Sequence, residues 1–180
     1  MDKSQENIEK SIGDLFVEWF NNETGSNFLF VGRPDRAPDL HYSSNGVELF
    51  IEITIAYYDQ YHATFIWKSI RDFKDAPDSW IGVNARKSLV ESILKRINTK
   101  SQKRYGRNTI LLIEIPPGVT SSEELEEQLR GQSFQVEKPF CGVYVVGYFP
   151  ITNRSSGGYR VIPIKSIDKN FANLSLNADG

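Results

Sequence analysis

The feature that most constrains the fold of this chain is a β-hairpin signal at residues 40–56. Residues 40–42 and 47–56 are rich in residues that favour strands, and Asn45 and Gly46 lie between these two runs. An Asn-Gly pair is typical of a tight turn that needs positive φ angles, and such a turn fixes how the two strands pair. The sequence therefore predicts two adjacent antiparallel strands with a defined register.

The longer strand of this hairpin carries acidic residues on one face. Because side chains alternate along a strand, Glu48, Glu52 and Thr54 are predicted to point the same way. Pairing across the turn brings Asp39, and less closely Asp35, near the level of Glu52. Carboxylates that meet in this way repel each other unless a proton, a basic side chain or a hard cation intervenes. The pattern indicates either a Mg²⁺ site or a solvated hairpin face.

Two amphipathic helices accompany the hairpin. The first covers residues 5–22, and Glu9 lies on the border of its apolar stripe. The second covers residues 84–105. Between the hairpin and the second helix, residues 57–82 are aromatic and irregular, which predicts an insertion with a short helix near 64–73.

The second helix is the basic part of a chain whose formal net charge is −2. Helical geometry directs Lys95, Arg96 and Lys103 away from the buried stripe and puts Lys100 and Arg104 on its flank. Outward lysines are typical of a solvated face, but a lysine on the flank can reach the sheet. If the protein binds nucleic acid, this helix is the favoured contact surface, through Lys87, Lys95, Arg96, Lys103 and Arg104.

The remaining segments complete an α/β domain with a central mixed sheet flanked by helices. Residues 109–115 are nearly all apolar, as in a central strand buried on both sides, so they follow the basic helix as a crossover. A capping-box pattern opens a short helix over residues 121–131. Residues 142–149 and 159–164 are predicted strands of a hairpin on the far side of the sheet, and the polar tail beyond residue 166 is expected to fray.

Composition limits the classes of protein that fit. A chain of 180 residues with 39% hydrophobic residues suits one domain. The single Cys141 excludes an intrachain disulfide and fits the cytoplasm, and no apolar run is long enough for a membrane span. Gly-rich phosphate loops, nucleophile elbows and HExxH are absent, so nucleotide hydrolases, dehydrogenases, serine hydrolases and zincins are not favoured.

With these elements in hand, the chain resembles the PD-(D/E)XK, or restriction-endonuclease-like, nuclease superfamily. Pro38-Asp39 is similar to its PD element, and Glu52-Ile53-Thr54 is similar to its (D/E)-x-K element. The predicted order of helix, three-stranded meander, crossover helix and strand is also that of the superfamily core. One departure is clear, because Thr54 stands where the motif has lysine. The Glu-x-Thr form is similar to that of a group of bacterial members.

The resemblance implies a fold, an activity and a cofactor. The fold would be a restriction-endonuclease-like core, and the activity would be cleavage of phosphodiester bonds in nucleic acid, DNA in particular. Asp39 and Glu52 would hold Mg²⁺ or Mn²⁺, with the carbonyl of Ile53 as a further ligand and Glu9 as an outer one. Many members cut two strands as dimers, so a homodimer is one implied assembly, although the sequence has no interface signature.

The missing lysine leaves two readings of function. Members of the superfamily are known to carry this lysine on an adjacent element, and Lys100 is the candidate here, with Lys87 in reserve. In the other reading, loss of the lysine has left a catalytically inactive nuclease-like domain that binds nucleic acid or a protein partner. Apart from these two readings, which concern the lysine, a further alternative is a structural or interaction module in which all these acids are solvated.

Overall fold

Three helices and six strands make up the described part of the chain. The computed structural model describes residues 3–57, 85–106, 108–117, 120–134, 139–152, 157–167 and 171. The helices are α1 (Lys3–Thr24), α2 (Ala85–Ser101) and α3 (Ser122–Arg130). The strands are β1 (Leu29–Gly32), β2 (Leu40–Ser44), β3 (Val47–Ile55), β4 (Thr109–Ile115), β5 (Gly142–Phe149) and β6 (Gly158–Lys165).

The six strands form one mixed sheet in which they lie in the order of the chain. β1, β2 and β3 form an antiparallel meander, β3, β4 and β5 run parallel, and β6 returns antiparallel to β5. α2 lies between β3 and β4 in the chain, and α3 lies between β4 and β5, as parallel neighbours require. The predicted α/β architecture with a central mixed sheet and flanking helices is confirmed.

The predicted hairpin is present with the expected turn. Asn45 has φ 48° and Gly46 has φ 80°, the left-handed pair that a two-residue hairpin turn requires. The register pairs Leu40 with Ile51. β2 begins at Leu40, whereas β3 continues to Ile55, so the last part of β3 projects beyond its antiparallel neighbour.

The two faces of the sheet bury separate apolar cores. On one face, side chains of β3 such as Leu49 and Ile51 pack with α1 residues such as Phe16. On the opposite face, Leu111 of β4 packs with α2 residues such as Ile93. The alternation predicted for β3 is therefore correct: its apolar residues face α1, and Glu52 and Thr54 belong to the face that α2 covers.

α1 lies unusually close to β2 at Gly13. A Cβ atom built on Gly13 would lie 2.3 Å from Leu40 Cδ1 and 2.7 Å from Tyr42 Oη. The Tyr42 hydroxyl donates a hydrogen bond of 2.8 Å to Asp14 Oδ1, the next residue of the helix. The missing side chain thus lets the helix backbone approach the hairpin, which brings the N-terminal turns of α1 near the end of β3.

Two sequence predictions need correction or lie outside the described residues. α2 ends at Ser101 and not at residue 105, because the Lys103 N–H turns back to the Lys100 carbonyl at 3.0 Å and closes the helix with a tight turn. Lys103 and Arg104 therefore lie in the turn that follows the helix, and Arg104 is not on the flank of its stripe. The predicted insertion after Tyr57, with its helix near 64–73, is outside the described residues.

Candidate active site

Asp39 lies at the open edge of β3, one residue before β2 begins. Its Oδ2 accepts a hydrogen bond of 2.8 Å from the backbone N–H of Ile53. The carboxylate therefore accepts the hydrogen bond that a backbone carbonyl of β2 would accept if β2 extended along the whole of β3. Because the N–H and C=O of one strand residue point to the same neighbour, the Ile53 carbonyl faces this edge as well.

Glu52 lies under α2 and is almost completely buried, with 2% of its surface exposed. The ammonium Nζ of Lys100 lies 2.5 Å from its Oε1. Its other oxygen, Oε2, is buried and has no hydrogen-bond partner among the described residues. Buried carboxylate oxygens are nearly always paired, so an unpaired one marks a place where a water molecule or a cation fits.

The charges around Asp39 form one electrostatic cluster. The pKa of Asp39 is raised from 3.8 to about 6, chiefly by burial and also by the negative charges of Glu52 and Glu9. The hydrogen bond from the Ile53 N–H and the charge of the Lys100 ammonium partly oppose this rise. Two further carboxylates and one ammonium therefore act on the charge of Asp39, and one of those carboxylates, Glu9, is itself paired with Arg33.

Glu9 reaches this cluster from α1 but already has partners. It is buried, it forms an ion pair with Arg33, and it accepts a hydrogen bond of 2.9 Å from Gln5 Nε2. Within the described ranges, no three His, Cys, Asp or Glu side chains converge as a metal-ligand group. The structure thus brings together two carboxylates, Asp39 and Glu52, and the role of Glu9 as an outer ligand stays a prediction.

A cleft of about 210 Å³ opens at the end of β3, between α1 and α2. Gln5 and Glu9 line it from α1, Thr54 from β3, and Arg96 from α2. The prediction that Arg96 faces away from the apolar stripe is therefore wrong. Arg96 comes one helical turn before Lys100, and residues four apart share a helix side, so both cations lie toward β3.

Tyr105 is a site residue that sequence reasoning missed. Its hydroxyl is buried beside the Glu52 carboxylate without an ideal hydrogen-bond geometry. Burial raises the pKa of Tyr105, and the charge of Glu52, its proximity as a hydrogen-bond acceptor and the charge of Asp39 raise it further, so the phenol adjoins Glu52. The ring packs on Phe140 at 4.9 Å between centroids. Its position depends on the early end of α2, which no local pattern indicated.

The other candidates lie away from the two carboxylates. Glu48 shares the face of Glu52, but it pairs with His41, which lowers the pKa of Glu48. Asp35 is exposed and is not among the charges that act on Asp39. Lys95 and Lys103 are exposed, as predicted, and Arg104, predicted on the flank of the stripe, is exposed as well. Lys87 lies within α2, and its side chain is outside the described part of the structure.

Comparisons with known proteins place no constraint on this site. No protein-family model, no curated protein and no solved structure matches the chain. The search for membrane spans found no helix among the described residues that is long and apolar enough to cross a bilayer. Any inference about function therefore depends on the geometry of the site itself.

Proposed function

We propose that this protein is a metal-dependent nuclease that hydrolyses phosphodiester bonds in nucleic acid, DNA in the first instance. The observation that carries the proposal is the meeting of Asp39, Glu52 and the Lys100 ammonium at the open end of β3. Lys100 Nζ lies 2.5 Å from Glu52 Oε1, and Glu52 Oε2 has no partner among the described residues. Two acids and a lysine are the groups that the PD-(D/E)XK motif combines.

The order of elements supports the same proposal. A helix, a three-stranded meander, a helix and a strand parallel to the third strand follow one another from α1 to β4. Nucleases of the PD-(D/E)XK superfamily have this order, and Asp39 and Glu52 are the residues that resemble its two motif acids. Since one fold hosts many functions, the order of elements adds to the argument from the site and does not replace it.

The donor set suits a hard divalent cation. Asp39 and Glu52 supply carboxylate oxygens and Ile53 supplies a backbone carbonyl on the same edge, and Mg²⁺ and Mn²⁺ prefer such ligands. Glu52 Oε2 is buried without a hydrogen-bond partner among the described residues, and burial is the main cause of the raised pKa of Asp39, so a cation between the two carboxylates would stabilise the ionised form of both. A bound Mg²⁺ or Mn²⁺ would make a water molecule more acidic and offset charge on the phosphate.

Lys100 supplies the charge that the third motif position lacks. Thr54 is uncharged, and its side chain belongs to the same face as Glu52. An ammonium held by Glu52 lies where it can donate hydrogen bonds to a phosphate oxygen or to the attacking water. α2 thus carries the lysine to the site from a different element, while the carboxylates stay on the hairpin.

A cleavage assay tests the proposal. Purified wild type is incubated with end-labelled single-stranded and duplex DNA in Mg²⁺, in Mn²⁺ and in EDTA. We expect metal-dependent cleavage that falls by a factor of about 100 or more in Asp39→Asn and Glu52→Gln, since metal-site ligands are essential. Glu126→Gln removes an exposed carboxylate of α3 and is the matched control. Binding of DNA without cleavage would support the inactive nuclease-like alternative instead.

A further inference from the structure

The cleft beside Thr54 is lined by both polar and apolar residues. The polar ones include Arg96, Thr54 and Glu9, whose carboxylate is paired with Arg33, and the apolar ones, here called the apolar wall, include Ile8, Ile12, Ile55 and Tyr57. Its volume of about 210 Å³ is below the range of drug-sized pockets, which begins at roughly 300 Å³. A site of this size suits one small group that is apolar on one side and anionic on the other.

Arg96 differs from the other cations near the site because it has no carboxylate partner among the described residues. Arg33 forms an ion pair with Glu9, and Lys100 forms one with Glu52. Arg96 is partly buried, and its guanidinium offers paired N–H donors whose geometry matches a phosphate. A partly desolvated arginine that has no carboxylate partner in the described ranges is well suited to bind an anion from solution.

The position of Arg96 relates it to the proposed scissile phosphate. Arg96 and Lys100 are one turn apart on α2, which is about 6 Å along the helix axis. This separation is on the order of one nucleotide step in a strand. If one phosphate lies at Asp39, Glu52 and Lys100, the neighbouring phosphate of the same strand therefore comes within reach of Arg96.

We propose that the cleft is a subsite for one unpaired nucleotide of the substrate. Arg96 binds its phosphate, and the base packs against Tyr57 and the isoleucines of the apolar wall, as bases pack on aromatic and apolar side chains elsewhere. The inference rests on the proposed function for the position of this nucleotide next to the bond that is cut. A base stacked inside a duplex cannot enter the cleft, so the favoured substrates are single strands, overhangs and unpaired positions.

Equilibrium binding tests the subsite without cleavage. A fluorescein-labelled single-stranded oligonucleotide and its duplex are titrated in EDTA, and Kd is measured by fluorescence anisotropy. We expect the wild type to prefer the single strand, and Arg96→Gln to weaken that binding about tenfold or more, as loss of a charged hydrogen bond does. Arg130→Gln is the matched control, because Arg130 is exposed on α3 and its change removes the same charge. It should change Kd less than twofold.

Two further variants keep the test decisive. Tyr57→Leu removes the aromatic ring and should weaken single-strand binding about fivefold or more. Arg96→Lys keeps the charge but loses the paired donors, so its Kd should fall between those of the wild type and Arg96→Gln. Melting temperatures establish that each variant is folded, and Arg96→Lys and Tyr57→Leu decide the question if Arg96→Gln is unfolded.

The possible outcomes separate this inference from the nuclease proposal. Equal binding by Arg96→Gln and Arg130→Gln, a wild-type preference for duplex, or no wild-type binding overturns the subsite, whether or not the protein cuts DNA in Mn²⁺. Arg96-dependent binding of single strands without cleavage supports the subsite and overturns the nuclease. Arg96-dependent binding together with cleavage supports both.

Discussion

At the scale of single residues, ionising Asp39 costs more free energy in the folded protein than in the unfolded chain. Its pKa of about 6 in the folded state lies above its ordinary value of 3.8. The folded protein therefore binds this proton more tightly than the unfolded chain does. In the metal-free protein, the contribution of Asp39 to stability is greatest below about pH 4 and is lost as the pH rises to about 6.

This asymmetry predicts the pH dependence of a variant. Asp39→Asn keeps an acceptor for the Ile53 N–H but cannot ionise, so its free energy of unfolding, relative to wild type, should rise between pH 4 and pH 7. Urea unfolding in EDTA at both pH values measures this difference. A gap between variant and wild type that is the same at both pH values would show that Asp39 has an ordinary pKa.

A bound divalent cation should offset the free-energy cost of ionising Asp39. Mn²⁺ or Mg²⁺ at millimolar concentration should raise the melting temperature by mass action, more at pH 7.5 than at pH 5, because protons compete for the Asp39 carboxylate. The rise should vanish in Asp39→Asn and persist in Glu126→Gln. Thermal unfolding with and without metal is the measurement, and an unchanged wild-type curve would contradict a metal site here.

Lys100 has a structural role as the ion-pair partner of Glu52, which a double-mutant cycle measures apart from its proposed catalytic role. Lys100→Met leaves the buried Glu52 carboxylate without its ion pair, which should destabilise the metal-free protein by about 3 kcal/mol. In a Glu52→Gln background the same change should cost much less, because no buried charge is left. Urea unfolding of the four proteins measures the coupling between these residues.

The catalytic effect of Lys100 is measured separately, in Mn²⁺. If Lys100 acts on phosphate or water, Lys100→Met should bind metal and remain folded, yet cut DNA slower by orders of magnitude. Metal binding is followed by the shift in melting temperature. Cleavage at the wild-type rate by Lys100→Met would leave this residue with a structural role alone.

The local part of the site follows from sequence, and the tertiary part does not. Asp39 and Glu52 meet because a two-residue turn fixes the register of the hairpin, which is a short-range effect. Arg96 and Tyr105 depend on how α2 is rotated against the sheet and where it ends. A stripe of apolar residues shows which side of a helix is buried, but it does not fix the rotation of the helix closely enough to place every residue at the edge of the stripe. The prediction that Lys100 lies toward the sheet is therefore correct, and the prediction for Arg96 is wrong.

At the scale of elements, Gly13 of α1 has the least room for a side chain among the described glycines, because it lies against β2. Alanine is more favourable than glycine in a helix by about 1 kcal/mol, but at this position its Cβ would overlap Leu40 Cδ1 and Tyr42 Oη. Both neighbours are buried, so they have little room to move. Overpacking should exceed the gain in helix propensity, because it typically costs about 1–3 kcal/mol.

Gly13→Ala is therefore expected to lower the free energy of unfolding, although most glycine-to-alanine changes within helices raise it. Ser11→Ala, at an exposed position of the same helix, is the control and should change stability by less than about 0.5 kcal/mol. Chemical unfolding of both variants gives the comparison. A stabilised Gly13→Ala protein would mean that α1 can move away from the hairpin.

At the scale of the whole molecule, the fold was predicted in outline because its elements are strongly patterned. β4 is almost continuously apolar and α3 has a side-chain cap at Ser121, whose Oγ accepts the Glu124 N–H at 3.3 Å. Both elements therefore have the predicted bounds to within a residue. The placement of β1 and β6 at the sheet edges follows from the total set of pairings, which local patterns do not specify.

The distribution of charge over the molecule predicts how binding to DNA responds to salt. The net charge is −2, but exposed Lys95 and Lys103 lie on α2 and in the turn after it. The double variant Lys95→Glu, Lys103→Glu should bind DNA more weakly and show a flatter slope of log K against log salt. Each phosphate contact that is lost lowers the number of counterions released on binding. Anisotropy titrations over a range of NaCl concentrations measure the slope. An unchanged slope would remove these two lysines from the binding surface.

The arrangement of strands in chain order also has a consequence for synthesis on the ribosome. The hairpin that carries both carboxylates emerges early, and Glu52 precedes Lys100 by 48 residues. Until α2 has been made, Glu52 lacks the ammonium with which it pairs in the complete fold. The growing chain therefore cannot bury this carboxylate as an ion pair, and the acidic end of β3 is completed only when the crossover helix packs on the sheet.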